Sequence, residues 1–272
     1  MRSILNQYSG EFRRKILKTI KHSGKGHIGG AFSCVDLLIA LYLGNILRID
    51  SSNPNSINRD RFILSKAHSA IALYVVLSKM GFFNETELEK FNQGGLLSEH
   101  PDINIPGIET NGGSLGHGLG IGVGIAIAAK MDKTNSQIVV LLGDGECYEG
   151  SIWEAAMLGS HHSLDNLTVI IDRNELCILD FTEKINKLEP FSEKWKAFGW
   201  EVREIDGHNF SDIFDSFKDF RQRKHKPLLI IAHTTKGNGV SFMEKNKYWH
   251  HGTITDEEFT QASKELLSNY GN

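Results

Sequence analysis

The sequence predicts an α/β fold, a parallel sheet with helices on both faces, from three observations. Two apolar runs, Gln137 to Leu142 and Leu167 to Ile171, each lead into an oxygen-bearing side chain, Asp144 and Asn174. Further β-type runs lie at Arg61 to Leu64, Glu201 to Ile205 and Leu228 to His233. Helical patterns alternate with these runs, as parallel sheets require. Ligands of open α/β sheets bind beyond the carboxyl ends of the strands. Asp144 and Asn174 therefore fall where a site is expected.

In chain order, residues 3 to 22 show helical spacing, with Ile4, Phe12, Ile16 and Ile20 separated by basic residues. A second helix is predicted from Asp36 to Leu47, with Ser33 as N-cap and Asp36 as its capping partner. A short strand, Arg61 to Leu64, precedes a helix from Ser69 to Lys79, and a further short helix follows Asn84. Seven of the residues from Gly112 to Gly124 are glycine. The alanines that follow favour a helix over a small-residue strand. Each interior glycine would cost such a helix roughly 1 kcal/mol against alanine. Close approach of a backbone or a ligand would compensate. Later helices are predicted at Ile152 to His161, Ser192 to Phe198, Ser211 to Arg223 and Asp256 to Asn269, the last capped by Thr255. No repeat, low-complexity tract or proline-rich linker divides the chain, so 1–272 reads as a single domain.

Composition excludes several classes. With a formal net charge of -3 there is no basic excess to neutralise nucleic-acid phosphates. No apolar run approaches the roughly 18 residues of a membrane span. Met1 to Gly10 has no signal-peptide core. Three cysteines (Cys34, Cys147 and Cys177) without a CxxC pair suggest a reduced, cytoplasmic location.

The chemistry-bearing motif is Gly143-Asp144-Gly145, followed by Asn174. A hard cation such as Mg²⁺ takes oxygen ligands, some of them from phosphate. Flanking glycines let a diphosphate approach the backbone. Gly24, Gly26 and Gly29 match a dinucleotide-binding pattern, but they follow an amphipathic helix rather than a strand, so nicotinamide binding is not expected. The chain holds 12 histidines, several beside glycines or in turns. None shows zinc-type spacing. Loop histidines of this kind suit a polar, anionic substrate as donors and proton carriers. Glu146 and Glu149 open a helix, a favourable place for acids, and are also candidates for a carboxylate near a cofactor. Cys147 between them reads as a small filler.

Taken together, these residues carry a family resemblance. The chain resembles the N-terminal, diphosphate-binding half of a transketolase over essentially its whole length. The matching segments are Ser23 to Gly30, Ser65-Lys66-Ala67-His68, His100-Pro101 and Gly112 to Gly116. Gly143-Asp144-Gly145 with Asn174, Asp206-Gly207-His208 and His251-Gly252 complete them. The resemblance implies a thiamine diphosphate-binding (PP-type) domain. Asp144, the Asn174 side chain and the Leu176 carbonyl would hold Mg²⁺, or Ca²⁺ or Mn²⁺. His68, Gly145 and His251 would contact the diphosphate, and Gly113, Ser114 and Leu115 would lie along the cofactor. His27, His68, His100 and His251 would ring the reacting carbon as catalytic residues. Glu149 would join the cofactor-binding set through a carboxylate chain at a dimer contact. His117 stands where many relatives have glutamine, and Arg173 where the wider motif has a second, non-ligating Asn.

The resemblance also implies an activity. A two-carbon ketol unit would pass from a ketose phosphate to an aldose phosphate, as in pentose phosphate metabolism. The pyrimidine-binding domain is expected on a separate C-terminal subunit, in an α2β2 heterotetramer. Three alternatives stay open. One is a split transketolase for a branched or sulfonated sugar. Another is a 2-oxoacid decarboxylating component, and the third is a non-enzymatic scaffold.

Overall fold

The computed structural model describes residues 2–271. Five strands form one wholly parallel sheet: β1 (Arg61–Leu64), β2 (Ile138–Gly143), β3 (Leu167–Arg173), β4 (Glu201–Asp206) and β5 (Leu228–His233), ordered β1-β2-β3-β5-β4. Alternate side chains of a strand point to opposite faces. Val139, Leu141, Ile170, Leu228 and Ile230 accordingly enter one core, whereas Val140, Leu142, Val169, Ile171 and Leu229 enter the other.

The first core is covered by α1 (Arg2–Ser23), α2 (Ile28–Tyr42), α3 (Ala70–Lys79), α8 (Phe210–Ser216) and α9 (Asp256–Tyr270). The second is covered by α4 (His117–Met131), α5 (Gly150–His161) and α7 (Phe191–Ala197). A single-turn helix, α6 (Thr182–Ile185), lies between β3 and α7. Helices on both faces are thus observed as predicted.

Three elements differ from expectation. The second helix runs Ile28–Tyr42 rather than Asp36 to Leu47, and every residue of it is buried. Ser33 and Asp36 do not cap it, because tertiary partners take both. The Ser33 hydroxyl donates to Asp172 (2.6 Å). Asp36 accepts a two-pronged Arg13 guanidinium from α1 (2.9 and 2.7 Å), the Ser9 hydroxyl and His208 Nδ1. His208 Nε2 accepts the Thr235 amide, so its proton sits on Nδ1 and the Asp206-Gly207-His208 turn is pinned to α2. Burial alone would raise the Asp36 pKa, but the Arg13 charge and these hydrogen bonds hold it well below the usual carboxylate range.

The helix expected from Ser211 to Arg223 ends at Ser216, where the Ser216 hydroxyl bonds back to the Ile213 carbonyl. Phe217 and Phe220 then turn into the core, and Arg221 reaches Asp60. The glycine-rich segment is part loop, Gly112 to Gly116, and part α4. Outside these, boundaries agree closely. After Asn84 the chain makes a short 3-10 turn, Glu85–Lys90, capped by the Asn84 side chain. Thr255 and Glu258 form a reciprocal cap on α9.

The glycines of α4 divide by face. A Cβ on Gly118 would lie 2.4 Å from Ser65 Oγ and 2.9 Å from its Cα, and one on Gly122 2.5 Å from a Val140 methyl. Nothing lies within 4 Å of such an atom at Gly120 or Gly124. Gly118→Ala should therefore destabilise the chain by about 1–3 kcal/mol, the usual cost of overpacking. Gly124→Ala should stabilise it by up to about 1 kcal/mol, the helix-propensity gain. Urea unfolding of the two variants checks this, and equal midpoints would contradict the close-approach explanation.

Candidate active site

The carboxyl ends of β2 and β3, neighbours in the sheet, open into a cavity of about 390 Å³. Asp144 follows β2. Its Oδ1 accepts the Gly145 amide (2.7 Å), and Oδ2 accepts the Glu175 amide (2.6 Å) and Arg173 Nη1 (3.2 Å). Burial pushes the Asp144 pKa above its ordinary value despite Arg173 beside it. Asn174, just past β3, donates from Nδ2 to the Asp172 carboxylate (3.0 Å), and its Oδ1 accepts the Leu176 amide. Lys236 donates to the Leu176 carbonyl and meets His250 Nδ1, each at 2.9 Å. Burial and the nearby Lys66 lower the Lys236 pKa to about 8.

The buried floor is an ion pair between Lys66 and Asp172. Burial would raise Asp172, but the Lys66 charge and hydrogen bonds from Lys66, Ser33 and Thr234 keep it below its ordinary value. Glu146 is buried beside the cavity. It accepts the Ser65 hydroxyl and the Gly116 (2.9 Å) and Gly143 (3.1 Å) amides, tying the glycine loop to the ends of β1 and β2. Burial raises its pKa.

Imidazoles gather beside these groups. Paired backbone bonds between Gly26 and Gly252, both 3.1 Å, hold the His27 loop against the His251 loop. The His100 carbonyl accepts the Tyr74 and Ser98 hydroxyls, both at 2.8 Å. From the His27 ring centre, those of His68, His100, His250 and His251 lie 5.3, 6.3, 5.4 and 4.4 Å away. Gly30 keeps room for His68, since a Cβ there would lie 3.2 Å from His68 Nε2. Burial, then the neighbouring His251, lowers the His27 pKa to about 4. Burial and Lys236 take His250 to about 3, and burial with Lys66 depresses His68 strongly.

Of the residues expected from sequence, His27, His68, His100, Gly113, Leu115, Asp144, Gly145, Asn174 and Leu176 line this one cavity. His251 sits at the rim, where its Nε2 meets Glu99 (2.8 Å). Ser114 and His117 line a neighbouring cavity, and Glu149 is exposed ahead of α5. Cys147 is buried in the second core, a small filler as expected. Sequence reasoning missed Lys66, Glu99, Asp172, Lys236 and His250. The doubled His250-His251 was visible, but which ring turns inward was not.

The family described as "Transketolase, thiamine diphosphate binding domain" matches residues 7–270. The chain belongs to the transketolase family. It is 46% identical over 263 residues to one of the subunits of apulose-4-phosphate transketolase from Phocaeicola vulgatus, covering 96% of this chain and 93% of that protein. It is 39% identical over 264 residues to the 6-deoxy-6-sulfo-D-fructose transketolase subunit SqwG of a Clostridium species, covering 96% of each. Human transketolase is 34% identical, and there the chain spans 42% of the relative's length. Transketolase from Campylobacter jejuni superposes with a TM-score of 0.89 at 28% identity, over 96% of this chain and 42% of that one. The expectation of a thiamine diphosphate-dependent, ketol-transferring transketolase subunit therefore stands, and the decarboxylating alternative is not favoured.

The histidine wall of this transketolase chain makes its stability depend on pH. A histidine whose folded pKa is about 4 binds its proton more readily when unfolded, at about 6.5. Its contribution is complete above 6.5 and is lost as pH falls towards 4. Denaturation curves across that window should fall less steeply for His27→Gln than for the natural chain, and parallel curves would show that His27 is not desolvated.

Proposed function

We propose that this chain is the diphosphate-binding subunit of a two-subunit transketolase, acting with a C-terminal subunit that carries the pyrimidine-binding domain. The observation that carries this reading is one cavity lined by oxygen donors from the ends of two adjacent strands and by a wall of imidazoles. The donor set suits the cofactor's cation. Asp144 supplies a carboxylate, Asn174 an amide oxygen and Leu176 a carbonyl, an all-oxygen set of the kind Mg²⁺, Ca²⁺ or Mn²⁺ accepts, provided Lys236 releases the Leu176 carbonyl it now meets. Lys236 touches a carbonyl and an imidazole rather than a carboxylate, so its charge is left to face an anionic tail. Lys66 is neutralised by Asp172. Thiamine diphosphate, when bound, supplies the carbon that accepts the two-carbon unit.

The chain's own residues orient and move protons. His27, His68 and His100 stand around the space over the cavity, and His251 stands at its rim. A neutral imidazole, the form burial favours at His27 and His68, donates from one nitrogen and accepts at the other, so it can bind a sugar hydroxyl and take or return its proton. Gly113, Ser114, Leu115 and Gly145 offer backbone groups along the cofactor. Glu149, exposed ahead of α5, fits a contact with another subunit better than a direct cofactor contact. Ile178, Leu179 and Ile185 line the cavity yet are 64, 64 and 44% exposed, an apolar rim suited to cover by a partner.

An α2β2 assembly in the cytoplasm completes this reading. Among the described residues no helix is long and apolar enough to cross a membrane. The relatives named for apulose 4-phosphate and for 6-deoxy-6-sulfo-D-fructose favour a branched or sulfonated ketose over the common pentose phosphates.

Asp144→Ala should abolish Mg²⁺-dependent thiamine diphosphate binding by the reconstituted pair, measured by calorimetry. Unchanged affinity would rule out the metal assignment. The purified chain alone should transfer no ketol unit, whereas the pair should do so from one of a panel of branched, sulfonated and unbranched ketoses. Robust activity without a partner would refute the split-site reading.

A further inference from the structure

We infer that His27, Glu99 and His251 form a second metal site, one for a borderline transition-metal ion such as Zn²⁺, at the rim of the cavity. The three side chains come from distant parts of the sequence, and their donor atoms all lie within 4.8 Å of one another. Glu99 Oε1 is 3.1 Å from His27 Nδ1 and 2.8 Å from His251 Nε2. Two ligands on one ion, each bonded at about 2.0–2.1 Å, lie roughly 2.9 to 3.4 Å apart in octahedral or tetrahedral geometry. The two pairs that include Glu99 are therefore already close to the spacing an ion imposes.

The contact with His27 is the telling one. His27 Nδ1 is near the carboxylate yet out of line for a hydrogen bond, and it is a buried nitrogen without a hydrogen-bond partner. Such an atom costs roughly 1–3 kcal/mol. A cation at the Glu99 oxygen would use its lone pair. His251, partly exposed at the rim, leaves a route from solvent.

The two sites differ in softness. Asp144, Asn174 and Leu176 offer oxygen alone, which suits Mg²⁺. Two imidazoles and one carboxylate suit Zn²⁺, Co²⁺ or Ni²⁺, and Mg²⁺ does not displace them there. An ion at the rim would engage the two imidazoles that the proposed function gives to the sugar. On that reading, it inhibits in competition with the sugar.

The test uses the full chain in excess Mg²⁺, with no cofactor or partner, so its outcome is separate from the transketolase reading. Zn²⁺ calorimetry should show one saturable site, and Co²⁺ in its place should give the visible absorption of a nitrogen-ligated ion. Glu99→Gln, which keeps shape but removes the charged ligand, should weaken Zn²⁺ by at least about 10-fold, the floor set by losing even an outer-shell partner. His251→Gln, at a rim position with little effect on folding, should do the same. Asp144→Ala should leave Zn²⁺ affinity unchanged. Absence of saturable binding, equal affinity in the Glu99 and His251 variants, or loss of binding in the Asp144 variant would each overturn the proposal.

Discussion

The carboxylate of Asp172 holds the site together. Buried at the end of β3, it accepts Ser33 from α2, Lys66 from the turn after β1, Thr234 from the turn after β5 and Asn174 from its own strand. Three segments distant in sequence are thereby fixed around the end of β3. Without Asp172, the Lys66 ammonium would be an unpaired charge in the interior, the costly half of a broken buried pair. The same carboxylate orients Asn174. An ionised carboxylate only accepts, so it draws the Asn174 amide nitrogen and leaves the amide oxygen as that side chain's acceptor. The candidate ligand thus acquires its orientation from a residue outside the candidate ligand set.

Much of this architecture was legible in the chain. The apolar runs at 138–142, 167–171 and 228–232 are strands because each is buried on both faces, which leaves a nearly continuous hydrophobic signature. Helix α2 was misplaced for the converse reason. Ser33 and Asp36 carry a local capping pattern, but a pattern of three residues cannot show that Asp172 and Arg13 compete for the same side chains. The early stop of α8 is likewise tertiary, set by Phe217 and Phe220 turning into the core. In the site, glycine and histidine motifs pointed to Asp144, Asn174, His27, His68 and His100. Lys66, Lys236 and Glu99 have no spacing signature, and nothing in sequence reveals that a lysine is buried. The choice between His250 and His251 depends on the paired bonds between Gly26 and Gly252, which join residues far apart in the chain.

The glycine-rich segment combines both kinds of information. Gly118 and Gly122 let α4 approach Ser65 and Val140, so the predicted close approach has a named cause. Gly120 and Gly124 have open space on the other face, near the exposed Ile121. Within this chain they weaken a helix without a visible gain. Consistency between local preference and fold is the usual state of natural sequences, and a local violation points to function or to contacts beyond the chain.

The charge pattern of the cavity follows from burial. Five imidazoles share one wall with two buried lysines, and at three of them burial first, then repulsion from neighbouring cations, disfavours the charged form. His27, His68 and His250 are all driven towards the neutral form. A wall of cations would only donate hydrogen bonds and would hold any phosphate in any orientation. Neutral imidazoles instead each offer a donor and an acceptor, the same pairing a sugar hydroxyl presents. The lysine charge lies deeper, near the strand ends, where an anionic tail is expected. Lys66 is neutralised by Asp172, so the lysine charge free of a carboxylate is that of Lys236, set between the Leu176 carbonyl and His250. A charged tail placed there leaves the neutral imidazoles of His27 and His68 to the hydroxylated reacting end.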